Sequence, residues 1–176
     1  MDKIEIKPEN LLVSSHYLFD RKTLLLTCGD FAGQDYNTMT IGWGSLGTMW
    51  NRPYVSVVVR PTRYTFEFME KYKNFTVSAL PEENRYALAY LGSHSGRGFN
   101  KLKETRLTPT ASVKVSSPSF EQAELSIECK TIYFADFDPT NFLDQTIDRN
   151  YPGKDYHRVY YGEIVHITGL PNYNKP

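Results

Sequence analysis

The sequence has little cysteine and no excess of charge of either sign. Two of its 176 residues are cysteine, and its 20 basic residues match its 20 acidic ones, so the formal net charge is zero. Cys28 and Cys129 form no C-x-x-C motif, which is typical of small core residues and not of a redox or metal site. A neutral chain without a basic stripe argues against binding to nucleic acid or to an anionic membrane surface.

Long apolar runs and phosphate-loop motifs are also missing. No apolar stretch is long enough to cross a bilayer, and residues 1–10 contain no apolar signal core, so we expect a soluble, cytoplasmic protein without a membrane partner. The patterns G-x-x-x-x-G-K-S/T and G-x-G-x-x-G do not occur, which excludes a Walker loop and a dinucleotide fingerprint. The four histidines show no metal-ligand spacing, and no metal site is predicted.

Strand patterns dominate what the sequence does contain. Strands are predicted over residues 23–29, 37–47, 52–60, 111–115, 123–134 and 156–167. Helices are predicted over residues 64–72 and 82–92, with a short one at 98–105 and a helical turn within 138–147. This mixture predicts a mainly β fold with a few helices, closed or nearly closed into a barrel. We expect one domain over residues 1–176, with its barrel core at about 22–170.

Three of these elements carry finer predictions. The alternation in strand 123–134 buries Leu125, Ile127 and Cys129 and exposes the residues between them, Ser126 and Glu128 included. Helix 64–72 has Thr62 as its expected N-cap, and its buried face is predicted to hold Thr65, Phe68, Met69 and Tyr72. Helix 82–92 is expected to stop at Gly92 and to bury Ala87, Tyr90 and Leu91.

The stretch NTMTIGWGSLG, residues 37–47, combines a strand pattern with three glycines. Glycine weakens a strand and often marks a close approach to the backbone. Alternate residues of one continuous strand would form two faces, with Thr40, Gly42 and Gly44 on one and Met39, Ile41 and Trp43 on the other. We expect a flat heterocycle to lie along this strand, with its edge bonded to the backbone and its faces covered by methionine and aromatic side chains.

Two loops have the composition of an anion site. Residues 60–65, RPTRYT, lead from a strand into a helix, whose first turn offers free N–H groups and the positive end of the helix dipole. Arginines and hydroxyls around such a turn suit a phosphate. Residues 92–98, GSHSGRG, followed by Lys101, add open amides and positive charge. A mononucleotide requires a phosphate site beside a surface for its ring. FMN fits both, with its phosphate at the two loops and its ring along strand 37–47.

Several stretches, taken in order, resemble the flavin reductase-like family of FMN-binding split barrels, which includes the flavoredoxins. They are NTMT with Trp43, RPxRYT at 60–65, NFxV at 74–77, SGR at 95–97 with KLK at 101–103, and Gly162-Glu163 in the last strand. The resemblance runs from about residue 24 to 169. It departs at GFN, residues 98–100, where members often have Asp-x-Asp or Asp-x-Phe.

The resemblance implies an FMN-binding split β-barrel that forms a homodimer with FMN near the subunit interface. It also implies an oxidoreductase of the flavoredoxin or NAD(P)H:flavin reductase kind, which passes electrons from NAD(P)H or a protein donor through FMN to an acceptor. Cofactor contacts are then expected from the opening stretch and the two loops, at Asn37, Met39, Thr40, Ile41, Gly42, Trp43, Arg60, Arg63, Tyr64, Thr65, Ser93, Ser95, Gly96 and Lys101.

A catalytic residue is harder to name. Without a Rossmann motif, NADH or NADPH would bind transiently over the ring, near Trp43, Trp50 or His157, and His157 is the one candidate for a catalytic role. Glu163 is interpreted as structural, satisfied by backbone amides or an arginine. Two alternatives stay open: a flavin-binding carrier or sensor without turnover, and an interaction module without cofactor whose exposed aromatics form a dimer surface.

Overall fold

The computed structural model describes residues 2–175, and most of its regular structure is β-strand. Its strands are β1 Ile4–Glu5, β2 Leu24–Asp30, β3 Asp35–Ile41, β4 Gly44–Met49, β5 Arg52–Val59, β6 Asn74–Ala79, β7 Pro109–Thr110, β8 Ser119–Phe120, β9 Leu125–Asp136 and β10 Arg158–Gly169. Its α-helices are α1 Ser15–Tyr17, which runs into a π-helical turn at Leu18–Lys22, α2 Tyr64–Lys71 and α3 Arg85–Ser93. The prediction of a mainly β chain with few helices is confirmed.

Short 3-10 turns occupy the connections between these elements. They are Pro8–Asn10, Glu82–Asn84, Lys101–Glu104, Pro139–Asn141, Gln145–Asn150 and Pro171–Tyr173. No helix in the described part of the chain is long and apolar enough to cross a membrane.

The closure of the barrel follows from the order of the strands. Antiparallel pairs run in the order β3-β2-β6-β9-β10-β5-β4, with β1 added to β10. The two end strands, β3 and β4, are joined by Gly42 and Trp43 alone. Three peptide steps from Ile41 to Gly44 span at most about 11 Å. The ends of the ladder therefore meet, and the sheet rolls up into a barrel, as predicted.

The predicted strand 37–47 is therefore two strands, and the two faces assigned to it do not exist as one surface. One of its glycines, Gly44, also has a different reason from the expected one. A Cβ at Gly44 would clash with the carbonyl oxygen of Ser56 on β5 and with the ring of Phe19. Packing within the barrel is therefore enough to require glycine at this position.

Two apolar clusters hold the fold together. The barrel interior is filled from every strand of the main ladder and from α2, with Leu24, Leu26, Val55, Val57, Val59, Met69, Phe75, Ile127 and Ile167 among its members. A second cluster lies outside the barrel, where α3 packs against β3 beside Leu25 of β2, and it contains Leu25, Leu80, Ala87, Leu88, Leu91, Leu102, Leu107, Phe120 and Ala123. Burial of each valine, leucine, isoleucine, methionine or phenylalanine side chain in these clusters stabilises the fold by roughly 1.5–3 kcal/mol.

The alternation predicted for β9 is correct for Leu125, Ile127 and Cys129, which are buried, and wrong for the two residues between them. Ser126 and Glu128 are 7% and 3% exposed because the segment before β9 covers the strand's outer face. The Glu128 carboxylate accepts hydrogen bonds from the amides of Val113 and Lys114, at 2.8 and 2.6 Å. The predicted strand 111–115 does not form, since these amides bind a carboxylate and not a neighbouring strand.

The helix boundaries also differ from the predicted ones. Arg63 stands at the N-cap of α2, and the hydroxyl of Thr62 donates instead to Asp155, at 3.3 Å. Helix α3 continues one residue past Gly92. Leu88 joins Ala87 and Leu91 in its buried face, whereas the predicted Tyr90 is only partly buried. Tyr72 is likewise only partly buried beside α2.

Candidate functional site

Two adjoining cavities lie at the seam where β3 passes into β4. The first, which we call the seam cavity, measures about 230 Å³ and is lined by Met39, Thr40, Ile41, Gly42, Trp43, Val58, Arg60, Arg63 and His157. The second, the loop cavity, measures about 140 Å³ and is lined by Asn37, Met39, Thr62, Arg63, Tyr64, Thr65, Leu91, Gly92, Ser93, His94, Ser95, Gly96 and Lys101. Met39 and Arg63 belong to both. Every residue that the sequence predicted to contact a cofactor lines one cavity or the other.

Lys101 places a buried positive charge in the loop cavity. Its side chain is 4% exposed, and Nζ donates hydrogen bonds to the carbonyl oxygens of Leu91 and His94, at 2.7 and 2.8 Å. Burial, together with the charge of Arg63, lowers the pKa of Lys101 to about 8. An ammonium group has three N–H donors, so one remains for a ligand. In the described part of the chain no carboxylate lies at ion-pair distance from Nζ.

The first turn of α2 forms the opposite side of the loop cavity. The amides of Tyr64 and Thr65 precede the first intrahelical hydrogen bonds, so they have no partner within the helix. The Thr65 hydroxyl accepts a hydrogen bond of 2.8 Å from the Asn37 side-chain amide. This buried pair joins α2 to β3 and leaves the hydroxyl proton of Thr65 free to donate.

The glycine-rich loop lies flat against β3. A Cβ at Gly96 would clash with Oδ1 of Asn37, and one at Gly92 would clash with Oγ1 of Thr40. Arg97 holds the loop from outside, since its guanidinium pairs with Glu67 on α2 and lies 4.9 Å from the centre of the Tyr64 ring. The sequence had indicated a close approach to the backbone at the glycines of residues 37–47. The structure shows such an approach at Gly92 and Gly96, where the loop lies against β3.

The serines of that loop are used differently from one another. Ser93 donates to the carbonyl oxygen of Ala89, at 2.9 Å, and thereby completes the end of α3. Ser95 accepts a hydrogen bond of 3.2 Å from the amide of Arg97, so its own hydroxyl proton is available to the cavity.

Arg60 lines the seam cavity but not the loop cavity. Its guanidinium donates to the Asp155 carboxylate at 3.1 Å and to the carbonyl oxygen of Asn150 at 2.8 Å. The same group lies 5.0 Å from the centre of the Tyr151 ring. Arg60 therefore holds the segment before β10 against the barrel, a role that its position in the sequence did not indicate.

The three side chains considered for nicotinamide binding are not together. Trp43 and His157 meet at the seam cavity, with their ring centres 5.1 Å apart. Trp50 lies at the other end of β4, where its ring packs 5.7 Å from that of Tyr133. Glu163 forms an ion pair of 2.9 Å with Arg52, which agrees with its structural interpretation.

Several lining residues were not predicted. Val58 comes from the uniformly apolar β5, whose pattern does not show which side chain faces a cavity. Leu91, near the end of α3, was not singled out as a site residue, whereas Gly92 and His94 lie in the predicted anion loop 92–98 but were not among the expected cofactor contacts. In the described residues, no group of three His, Cys, Asp or Glu side chains could hold a metal ion.

Comparison with known proteins identifies the relatives of this chain. The family model described as "Flavin reductase like domain" matches residues 16–175. An uncharacterized protein of Pyrococcus abyssi (strain GE5 / Orsay) is 29% identical over 136 residues, which are 76% of this chain and 76% of the relative.

Among solved structures, the flavoredoxin of Methanosarcina acetivorans superimposes with a TM-score of 0.67 at 20% identity, covering 100% of this chain and 81% of that one. The NADH:FAD oxidoreductase of Streptomyces globisporus C-1027 gives a TM-score of 0.65 at 17% identity, covering 89% and 81%. At these identities the solved structures show a shared fold. The family resemblance and the split-barrel fold predicted from the ordered motifs are thus confirmed.

Proposed function

This chain belongs to the flavin reductase-like domain family, and from that premise we propose that it is an FMN-binding oxidoreductase. It would pass electrons from NAD(P)H or a protein donor through bound FMN to an acceptor. The observation that carries the proposal is the buried ammonium of Lys101, which faces a cavity that already contains Arg63 and the first turn of α2.

The donors around the loop cavity fit a phosphate. A buried charge without a counter-charge destabilises the fold, and a phosphate dianion would neutralise Lys101 and Arg63 together. The amides of Tyr64 and Thr65 and the hydroxyls of Thr65 and Ser95 supply further donors. A neutral ligand would leave the positive charges uncompensated, so an anion is the best match for this cavity.

The seam cavity fits a flat ring with polar edges. Gly42 and Trp43 lie outside the strand ladder, so their backbone groups are not engaged in strand pairing. Met39 and Trp43 supply soft and aromatic surface beside them. Because Met39 and Arg63 line both cavities, one ligand can occupy both, with its phosphate at Lys101 and its ring at the seam.

In such a complex the chain's residues bind and orient, and FMN when bound supplies the hydride and single-electron chemistry. Lys101 and Arg63 would anchor the phosphate, and the β3–β4 link would hold the ring edge. Trp43 is 49% exposed and His157 stands next to it, so this side of the ring is where a nicotinamide donor would approach. His157 stays a candidate contact for that donor.

A homodimer is part of the proposal. Trp50, Tyr54, Tyr133 and Tyr161 form a continuous aromatic cluster on the outer face of the neighbouring strands β5, β10 and β9. Trp50 and Tyr133 are 56% and 49% exposed, and such aromatics are enriched at the centres of interfaces. The six residues of β4 separate this cluster from the seam cavity by about 20 Å, so a second copy would have to cover the length of β4 as well as the cluster for the interface to reach the cofactor.

Reconstitution under anaerobic conditions tests the function. The protein is loaded with FMN, NADH or NADPH is added, and the flavin absorbance at about 450 nm is followed. Rapid bleaching supports an NAD(P)H-dependent oxidoreductase. Bound flavin that stays oxidised with both nucleotides argues for a protein donor, or for the alternative of a carrier or sensor. Failure to bind FMN at micromolar concentration contradicts the proposal.

A further inference from the structure

The seam cavity has a second wall that does not belong to the barrel. Residues 138–157 leave the sheet after β9 and return to it at β10, and His157, the last residue of this excursion, lines the cavity beside Trp43. Tyr151 lies behind His157 and is 1% exposed. Its hydroxyl oxygen is 2.8 Å from Nδ1 of His157.

Tyr151 is itself held from two directions. The Arg60 guanidinium lies 5.0 Å from the centre of its ring, and Arg60 is fixed by its bonds to Asp155 and Asn150. The ring of Phe142 is stacked on that of Tyr151, with centres 6.1 Å apart and planes 15° apart. The hydroxyl that meets His157 therefore has a well-determined position.

The position of the proton between the two rings follows from counting donors. Burial and the positive charge of Arg60 lower the pKa of His157 to about 4, so the imidazole is neutral at pH 7 and carries one N–H. The other charges that act on it are Asp155, which opposes this shift, and Arg63, which adds to it. If that N–H were at Nδ1, the buried Tyr151 hydroxyl would accept it, and its own O–H would have no acceptor among the described residues.

The opposite arrangement satisfies both groups. When the Tyr151 hydroxyl donates to Nδ1, the remaining proton of His157 sits on Nε2. Among the described residues, Nε2 has no hydrogen-bond partner. It is not one of the fully buried atoms that lack a partner, so it keeps some exposed surface. Nε2–H is therefore a donor that a ligand can reach.

We propose that Tyr151 is a positioning residue that fixes His157 as its Nε2–H tautomer, so that the seam cavity presents a neutral hydrogen-bond donor to an acceptor atom of the flat ring bound there. The identity of that ring as a flavin rests on the proposed function, whereas the tautomer does not. The donor is constant across physiological pH, since it does not depend on protonation of the imidazole.

Nitrogen-15 NMR of histidine-labelled, ligand-free protein at pH 7 tests the tautomer directly. The His157 signals are assigned by their loss in His157→Gln. We expect a protonated Nε2 and an unprotonated Nδ1 in the wild type, and a mixture of tautomers in Tyr151→Phe. A protonated Nδ1 in the wild-type protein would overturn the proposal, whether or not the Tyr151 variant folds.

FMN affinity tests the contact with the ring. His157→Leu removes the donor and is expected to weaken binding about three- to tenfold, as the loss of one neutral hydrogen bond does. His157→Gln keeps an N–H near the Nε2 position and is expected to stay within about twofold of the wild type. His166→Leu, on β10 beside Thr168 and outside both cavities, is the matched control.

Wild-type affinity in His157→Leu, or an equal loss in the Gln and Leu variants, would overturn the contact. A wild-type protein that binds no FMN would refute the proposed function, and with it the flavin contact. The NMR result would still decide the tautomer in that case, so the two failures can be told apart.

Discussion

Replacement of Lys101 by methionine is the most informative perturbation of the loop cavity. Methionine keeps an unbranched stem of similar length and removes the buried ammonium together with its donors to Leu91 and His94. The exchange removes the cost of burying an unpaired charge but leaves the carbonyl oxygens of Leu91 and His94 without this donor, and the two effects on stability oppose each other. We therefore expect the ligand-free variant to keep a melting temperature within a few degrees of the wild type.

The expected effect on FMN binding is much larger. Loss of one partner of a buried charge pair costs about 2–4 kcal/mol, so FMN should bind about 30- to 1,000-fold more weakly. Riboflavin has the same ring and no phosphate, and its affinity should change by less than about twofold. Titration of both ligands, followed by flavin fluorescence, measures the two effects in one assay. Lys103→Met, an exposed neighbour on the same turn, is the matched control.

The pH dependence supplies a second readout of Lys101→Met. The pKa of Lys101 in the ligand-free protein is lowered to about 8, and a bound phosphate would raise it again. Affinity linked to a raised pKa is complete below the pKa of the free state and falls as pH rises beyond it. Wild-type FMN affinity should therefore decrease above pH 8, whereas the variant should show no such decrease.

Two results would refute the reasoning about Lys101. Equal losses for FMN and riboflavin would mean that Lys101 only supports the loop. Unchanged FMN affinity would place the phosphate elsewhere.

The other predictions concern packing, assembly and the thiols. Gly96→Ala should abolish FMN binding without unfolding the barrel, because its Cβ would push the loop away from Asn37. Titration with FMN measures the affinity, and retained affinity would contradict the close approach of the loop to β3. Trp50 stands at φ 52° in the β4–β5 turn, a conformation that asparagine adopts readily, so Trp50→Asn should not lower the free energy of unfolding. The same substitution should weaken dimerisation about 30-fold or more, as measured by sedimentation equilibrium. An unchanged dimer would exclude the aromatic cluster as the interface. Burial raises the pKa of Cys28 and of Cys129, so neither thiol should react with Ellman's reagent until the protein is unfolded; fast reaction in the native state would contradict the packing.

Local patterns predicted the main strands well and the joints between them poorly. Apolar runs located β2 and β5 because both strands are buried along most of their length. The break at Gly42 and Trp43 was missed, since apolar and polar residues alternate on both sides of it and residues 37–47 therefore resemble one continuous strand. Alternation placed Glu128 outside because no local signal shows that a distant segment covers the outer face.

Within the site, residue types were predictable and their partners were not. Arginines and glycines beside a helix start indicated an anion site, and these residues do line adjoining cavities. The partner of Arg60, Asp155, lies 95 positions away in sequence, so only the folded chain shows that this arginine binds the excursion. The pairing of Tyr151 with His157 likewise depends on a hydrogen bond between side chains that no sequence pattern marks.

The two-residue link between β3 and β4 has a consequence for how the site is assembled during folding. The hairpins β2–β3 and β4–β5 can each form from neighbouring residues, but Met39 meets Arg63 and His157 only after the ladder has rolled up. A ligand that binds across the seam would therefore stabilise the closed barrel as a whole. It would slow amide hydrogen exchange even in strands that it does not contact. Asn10 and Leu12 are bonded to Lys175 and Tyr173, so the chain could be rejoined near its ends and cut at the seam. Such a circular permutant would retain every strand pair and lose only the covalent link between β3 and β4.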